Sequence, residues 1–318
     1  MTKRKKLKIS IIIFAAGCLL YILLSSVTPR EANYIYQLAY DQVRRSYTNP
    51  DDITVYIQEN GAWEPFLVLE SRYPGQGNGG TLLLRRYVLE RRKPWHLHQH
   101  WVSMHPYIDT SIDGRVRYYP ISFIDYWLNT EYFYAFTAAF QHQILATNIY
   151  VEAFLWAPPQ ERYATQVPRN IFLLSETEVG WASGFSNQLV EEGQQLTYFN
   201  RGTRLQYLTT DSGRQRRDFR LATQREFWPS WELPAYVIYN DVEYRNDFGI
   251  TGRTSWWLRT ERRTIVSNTI SAVSIESGVV RPVGSNDFAF VRPAFTIPRN
   301  TPVQQYEIEP GRFVNIIY

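Results

Sequence analysis

At 318 residues, 44% hydrophobic and 16% aromatic, the chain carries enough apolar material for a substantial core, which excludes an intrinsically disordered protein. Its formal net charge of +4 belongs to one end: Lys3, Arg4, Lys5, Lys6 and Lys8 supply five of the 34 basic residues, leaving 29 basic against 30 acidic from residue 9 onward. A basic tail on a neutral body gives no support to nucleic-acid binding by that body.

Residues 9–27 follow the tail without a charge, and only Ser10, Ser25 and Ser26 are clearly polar. Roughly 20 apolar residues span a bilayer as a helix, and a positive flank holds the N-terminus inside. The pattern predicts a single-pass membrane anchor with the rest of the chain extracytoplasmic. Two alternatives stay open, a cleaved signal peptide and lipidation at Cys18, which follows Ala15-Ala16-Gly17. Cys18 is the one cysteine in the sequence, so the remainder has no disulfide, no cysteine nucleophile and no thiolate metal site. Export without disulfides fits a bacterial surface.

Residues 29–47 space Tyr34, Leu38, Tyr40 and Val43 as a short amphipathic helix would, a stalk that ends at Asn49-Pro50-Asp51-Asp52. Strands are predicted at 53–57, 66–69 and 81–84. Between the last two, Gly75, Gly77 and Gly80 match the spacing G-x-G-x-x-G. A dinucleotide site needs a helix after that loop to meet pyrophosphate with its N-terminus, and a strand pattern follows instead, so a hairpin loop is predicted.

His96, His98 and His100 alternate after Trp95, with His105 and Asp109 downstream. On a strand, residues two apart share a face, so these three imidazoles are the candidate ligands for zinc or another transition metal; the competing reading is a polar face packed on neighbouring rings. Ser122 or Asp125 caps a predicted helix with Ile124, Trp127 and Leu128 on its buried side, and a second helical stretch covers 137–145. A strand over 170–175 delivers Ser175 as the cap of Glu176-Thr177-Glu178-Val179, a capping-box pattern. Glu176 and Glu178 are a candidate carboxylate pair, although acids in a first turn commonly serve the helix dipole. After an arginine-dense loop at 214–220 come Trp256-Trp257-Leu258-Arg259, a hairpin of 270–275 and 279–283, the run 290–295, and a last hairpin of 306–308 and 313–317.

Read in order, Trp127-Leu128-Asn129, Ile171 through Ser175, Trp256-Trp257-Leu258-Arg259 and Val291-Arg292-Pro293-Ala294 resemble a bacterial domain-of-unknown-function family with W-L-N, I-F-L-L-S and W-W-L-R…V-R-P-A motifs. The chain departs from it after Arg259, where Thr260-Glu261-Arg262-Arg263 replaces Ser-Pro-Gly. The layout is also distantly similar to the C-type-lectin-like fold of formylglycine-generating enzymes. That resemblance implies an α+β domain with irregular loops and closing hairpins. The cysteines on which those enzymes rely are absent beyond Cys18, as are the calcium-lectin triplets.

The expected organisation is therefore a cytoplasmic basic tail at 1–8, a transmembrane helix at 9–27, a stalk helix and linker at 28–50, one mixed α+β C-type-lectin-like domain at 51–297, and a C-terminal hairpin extension at 298–318. The expected function is a membrane-anchored ligand-binding module for a cell-surface glycan, cell-wall polymer or protein partner, without catalytic residues or cofactor. Trp256, Trp257, Arg259 and Arg292 are its candidate ligand-binding residues, with the paired indoles equally readable as core. The alternatives are a cell-wall hydrolase drawing a carboxylate pair from Asp109, Asp113, Glu176 or Glu178, and a structural component of a membrane assembly. No G-x-S-x-G, H-E-x-x-H or P-loop supports another chemistry.

Overall fold

Alternating apolar runs near the start of the body become paired strands in the computed structural model of the chain, which describes residues 33–43, 50–73, 79–89, 92–95, 118–152, 164–180, 192–199, 255–264, 267–274, 280–284 and 287–318. All of these lie in one compact unit, Asn33–Tyr318. In chain order the strands are β1 (Thr54–Glu59), β2 (Ala62–Glu70), β3 (Thr81–Arg85) and β4 (Lys93–Pro94). Two short helices follow, α1 (Phe123–Thr130) and α2 (Ala138–Gln141). Then come β5 (Thr147–Glu152), β6 (Ala164–Arg169), β7 (Ile171–Phe172), β8 (Ser255–Thr264), β9 (Ser267–Ser274), β10 (Val280–Gly284), β11 (Phe288–Ala289), β12 (Ala294–Ile297), β13 (Gln304–Glu309) and β14 (Arg312–Ile317).

The largest sheet has seven strands in the order β13-β14-β1-β2-β3-β12-β7, and β8, β9 and β10 make a separate three-stranded sheet. Within the large sheet only β1 and β14 run parallel; every other neighbouring pair is antiparallel. The register of β1 on β2 is set by Asn60-Gly61, whose φ values of 51° and 78° place both central residues of a two-residue turn in the left-handed region. That conformation matches the twist of the flanking strands and is favoured by an Asn-Gly pair. Residues 298–318 carry the chain to the far edge of the same sheet: β14 lies beside β1, and β13 folds back on β14 across Pro310 and Gly311.

One sheet face is sealed by phenylalanines. Phe66 of β2, Phe295 of β12 and Phe136 lie within 5.3–6.1 Å of one another by ring centroid, and Phe140 of α2 adds a fourth ring 5.4 Å from Phe136. Helix α1 is capped as its sequence predicts, Ser122 accepting from the Asp125 amide, and buries Phe123, Ile124, Trp127 and Leu128.

The expected α+β class is corrected by this architecture: the described residues are mostly strand, and their longest helix is the eight-residue α1. The helical stretch at 137–145 shortens to the four residues of α2 before Leu145 bridges to Thr296 of β12. The described part of the 28–50 segment holds no α-helix, only the 3-10 turn Ile35–Leu38 and the start of another, Pro50–Ile53; before the first, Tyr34 is extended and bridges Pro302. A C-type-lectin-like α+β domain is thus replaced by a β-rich one, in which aromatic and β-branched residues prefer the pleated, half-buried surface.

The membrane anchor and the location built on it are corrected as well. No helix among the described residues is long and apolar enough to cross a membrane. Eight residues of helix rise about 12 Å, against about 30 Å of hydrocarbon. Residues 9–27, on which the anchor rested, lie outside the described residues.

Candidate functional site

Trp256, Trp257, Arg259 and Arg292 all lie in the core, none more than 1% exposed. Strand β8 carries the first three. The Trp257 indole donates to the Lys93 carbonyl at 2.8 Å and meets the Trp95 ring edge-on at 5.7 Å. The Arg292 guanidinium lies over the Trp256 ring, 5.3 Å from its centroid, and its Nε donates to the Arg85 carbonyl at 2.8 Å. All four candidate ligand-binding residues are therefore buried, and the contacts they make are with the protein's own backbone and rings.

Arg259 is the centre of that scaffold. Its Nε donates to the Tyr150 carbonyl at 2.9 Å, Nη1 donates to the Leu173 carbonyl and to Glu178 Oε2, both at 2.7 Å, and Nη2 donates to Glu178 Oε1 at 2.8 Å and the Glu192 carbonyl at 3.1 Å. Those are all five N–H donors of a guanidinium. The flat fork matches the carboxylate bidentately, the strongest form of such a pair. Glu178 raises the affinity of Arg259 for its proton against the cost of burial, so the guanidinium stays charged. On the other side of Glu178, the Tyr73 hydroxyl donates to Oε1, and burial holds that phenol far above its ordinary range.

Ser175 and Glu178 form the predicted reciprocal cap: the Glu178 amide donates to Ser175 Oγ at 3.1 Å, and the Ser175 amide donates to Glu178 Oε2 at 2.9 Å. The described residues that follow, 176–180, form a turn; at Gly180, φ 70°, a Cβ would meet the Phe199 carbonyl oxygen at 2.8 Å. Glu176 is buried beside it, its Oε1 accepting from the Ser271 hydroxyl. The candidate carboxylate pair Glu176 and Glu178 is therefore inside the protein, each member held by buried donors. Asp109 and Asp113 lie outside the described residues, as do His96, His98 and His100. Among the described residues no cluster of three histidine, cysteine or acidic side chains can hold a metal ion.

Sequence reasoning missed Glu192. Its Oε1 accepts from the Glu152 amide at 2.7 Å, its Oε2 accepts from the Thr260 hydroxyl, and its carbonyl accepts from Ser175 Oγ at 2.7 Å. Burial pushes its carboxyl up to about 7, with Arg259 acting in the opposite direction. Nothing local marks it, since its partners are 40 and 68 residues away in sequence.

A second polar constellation supports a surface feature. Arg85 of β3 donates from Nε to Glu59 Oε2 at 2.9 Å and pairs through Nη2 with Glu64 at 2.8 Å, and the Tyr132 hydroxyl donates to the same Glu59 oxygen at 2.9 Å. The Asn60 amide donates to the Ala135 carbonyl at 2.7 Å, and Glu59 bridges Phe136. The 3-10 turn Tyr132–Ala135 is thereby bolted to the β1–β2 hairpin at both ends. It holds Phe133 half-buried and Tyr134 71% exposed, with the two rings edge to face at 5.6 Å.

The segments on which the family resemblance rests also meet. Asn129 hydrogen-bonds Ile171, Phe172 pairs with Ala294, Arg259 binds Leu173 and Leu174, and Trp256 lies under Arg292. Residues 78–299 match the family model described as domain of unknown function DUF6273. No curated protein and no solved structure matches the chain.

Proposed function

The chain belongs to the DUF6273 family, and we propose that it is a ligand-binding module that acts through surface aromatic rings on a rigid β scaffold, without catalysis of its own. Carbohydrate is the ligand class this reading favours, with a protein partner as the alternative. One observation carries it: Tyr134 is 71% exposed beside Phe133, on a turn fixed by Tyr132, Glu59 and Arg85. Among the described large apolar side chains it is the most exposed.

A tyrosine ring offers a flat apolar face and a polar tip, which suits the mixed surface of a sugar ring or a protein interface. Fixing the ring beforehand lowers the ordering cost of binding. The buried set of Arg85, Glu59 and Tyr132 supports the same reading, since it ties the turn that carries Tyr134 to the β1–β2 hairpin.

The test is retention of the full chain on immobilised polysaccharides, compared with Tyr134→Ala. Retention of the parent and about a tenfold weaker interaction in the variant, worth about 1.4 kcal/mol, is the expected result. A parent that binds a protein partner but no polysaccharide moves the ligand class to protein. Equal binding by both chains removes the ring from the site and overturns the proposal.

A further inference from the structure

Four buried glutamates lie in connected elements: Glu152 at the end of β5, Glu176 and Glu178 in residues 175–180, and Glu192 among residues 192–199. Arg259 is fully committed, with its bidentate pair made to Glu178 and its bond to Glu192 made to the backbone carbonyl. The Glu192 carboxyl is instead held by neutral groups, the Glu152 amide and the Thr260 hydroxyl. Facing it from each packed element are Glu152 on β5, Arg259 and Thr260 on β8, Ser175, Glu176, Thr177 and Glu178 on the turn, with Ser271 of β9 on Glu176 and Tyr73 on Glu178.

Glu192 also ties elements distant in sequence. Its carboxyl holds the end of β5 to β8, and its amide donates to Thr177 Oγ1 at 3.3 Å. The 192–199 segment is further held by the Leu196 amide on the Glu178 carbonyl and by the Thr197 amide on Glu70 Oε1.

We propose that Glu192 is a proton-operated latch: neutral, it seats the 192–199 segment against β5 and β8, and loss of its proton in this buried site beside Glu152 loosens that segment. In the closed form this carboxyl titrates near 7, raised by burial and by Glu152, whereas an opened, solvated glutamate returns toward 4.5. The sign follows from linkage. Closing retains a proton that opening releases, so opening becomes easier as pH rises from about 4.5 toward 7, by up to about tenfold per pH unit, and levels off above. The latch is independent of the ring platform and is tested without any ligand.

Hydrogen–deuterium exchange of the full chain, corrected for intrinsic rates, reads it directly. Protection of the Leu196, Thr197 and Phe199 amides should fall more than tenfold between pH 5 and 7 and then plateau. Glu192→Gln, neutral at every pH and similar in shape, should make that fall markedly smaller, leaving only the part that Glu70 contributes through the Thr197 amide. Glu152→Gln, which removes a neighbouring carboxylate and keeps Glu192 itself, should move the midpoint to lower pH. Protection of the parent that stays constant from pH 5 to 8 overturns the latch, and so does an unchanged transition in either variant.

Discussion

The Asn129 side chain closes the outer edge of β7 at Ile171: its Nδ2 donates to the Ile171 carbonyl at 2.9 Å and its Oδ1 accepts from the Ile171 amide at 3.1 Å. The same oxygen accepts from the Asn170 amide, and Nδ2 also donates to the Asp125 carbonyl at 2.9 Å. One amide group thus performs the work of a neighbouring strand. Sheet edges otherwise present unpaired N–H and C=O groups to any passing chain. At the opposite end of the sheet, β13 is six residues long and bears Gln304, Gln305 and Glu307 exposed, so polarity guards that edge.

Replacing Asn129 by alanine leaves the Ile171 amide and carbonyl without their side-chain partner beside a buried strand. An unsatisfied buried polar group costs about 1–3 kcal/mol, and two are exposed to that penalty. The expected outcome is a loss of about 2–4 kcal/mol in denaturant unfolding, with Asn129→Asp intermediate because it keeps the acceptor and loses the donor. An alanine variant as stable as the parent would show that α1 holds β7 through packing alone.

Arg259→Lys preserves charge and abolishes the fork. Lysine offers three donors from one point, against five in a plane, so the Tyr150, Leu173 and Glu192 carbonyls and both Glu178 oxygens cannot all be served. Breaking a buried pair typically costs about 3–5 kcal/mol, and the lysine variant should fall near the lower end of that range while Arg259→Ala reaches or exceeds the upper. Thermal unfolding of both variants checks the order. Equal stabilities for lysine and arginine would mean that charge, not geometry, is what the site uses.

Strands with strong local signals were legible in the sequence. The runs read at 53–57, 66–69 and 81–84, which the structure places at 54–59, 62–70 and 81–85, the hairpin of β9 and β10, the Ser122 cap and the Ser175–Glu178 box all follow from periodicity or from residues three apart. The turn that residues 176–180 adopt after Ser175 was not, because it goes with the bonds that Glu178 and Ser175 make to Arg259 and Glu192 across the fold. Trp256 and Trp257 were readable as core from their bulk, and both are fully buried; their ligand role was an inference from residue type alone. Glu192 and Arg85 were invisible for the opposite reason: their meaning lies in partners dozens of residues away, and no spacing rule reaches that far. The segment at 9–27 shows the limit of hydropathy, which reads an apolar run and says nothing of how the described body is built.

The buried acids make the whole fold an acid-favouring one. Asp125 accepts two bonds from Arg169 Nε at 2.7 and 2.9 Å, yet burial outweighs that pair and pushes its carboxyl up to about 6. Glu59 and Glu70 are raised for the same leading cause, burial, and Glu192 stands near 7. In each case the folded protein holds a proton that the unfolded chain gives up more readily. A raised carboxyl contributes stability that is whole below its unfolded value and is lost as pH climbs through its folded one. The unfolding midpoint in urea should therefore fall as pH rises from about 5 to about 7.5, at up to about 1.4 kcal/mol per pH unit for each group in its window. Asp125→Asn removes one titrating group, so its slope between pH 4 and 6 should be shallower than that of the parent, even if the lost pair with Arg169 lowers stability at every pH. A midpoint that climbs steadily over this range would mean that ion pairing, and not burial, governs these carboxylates.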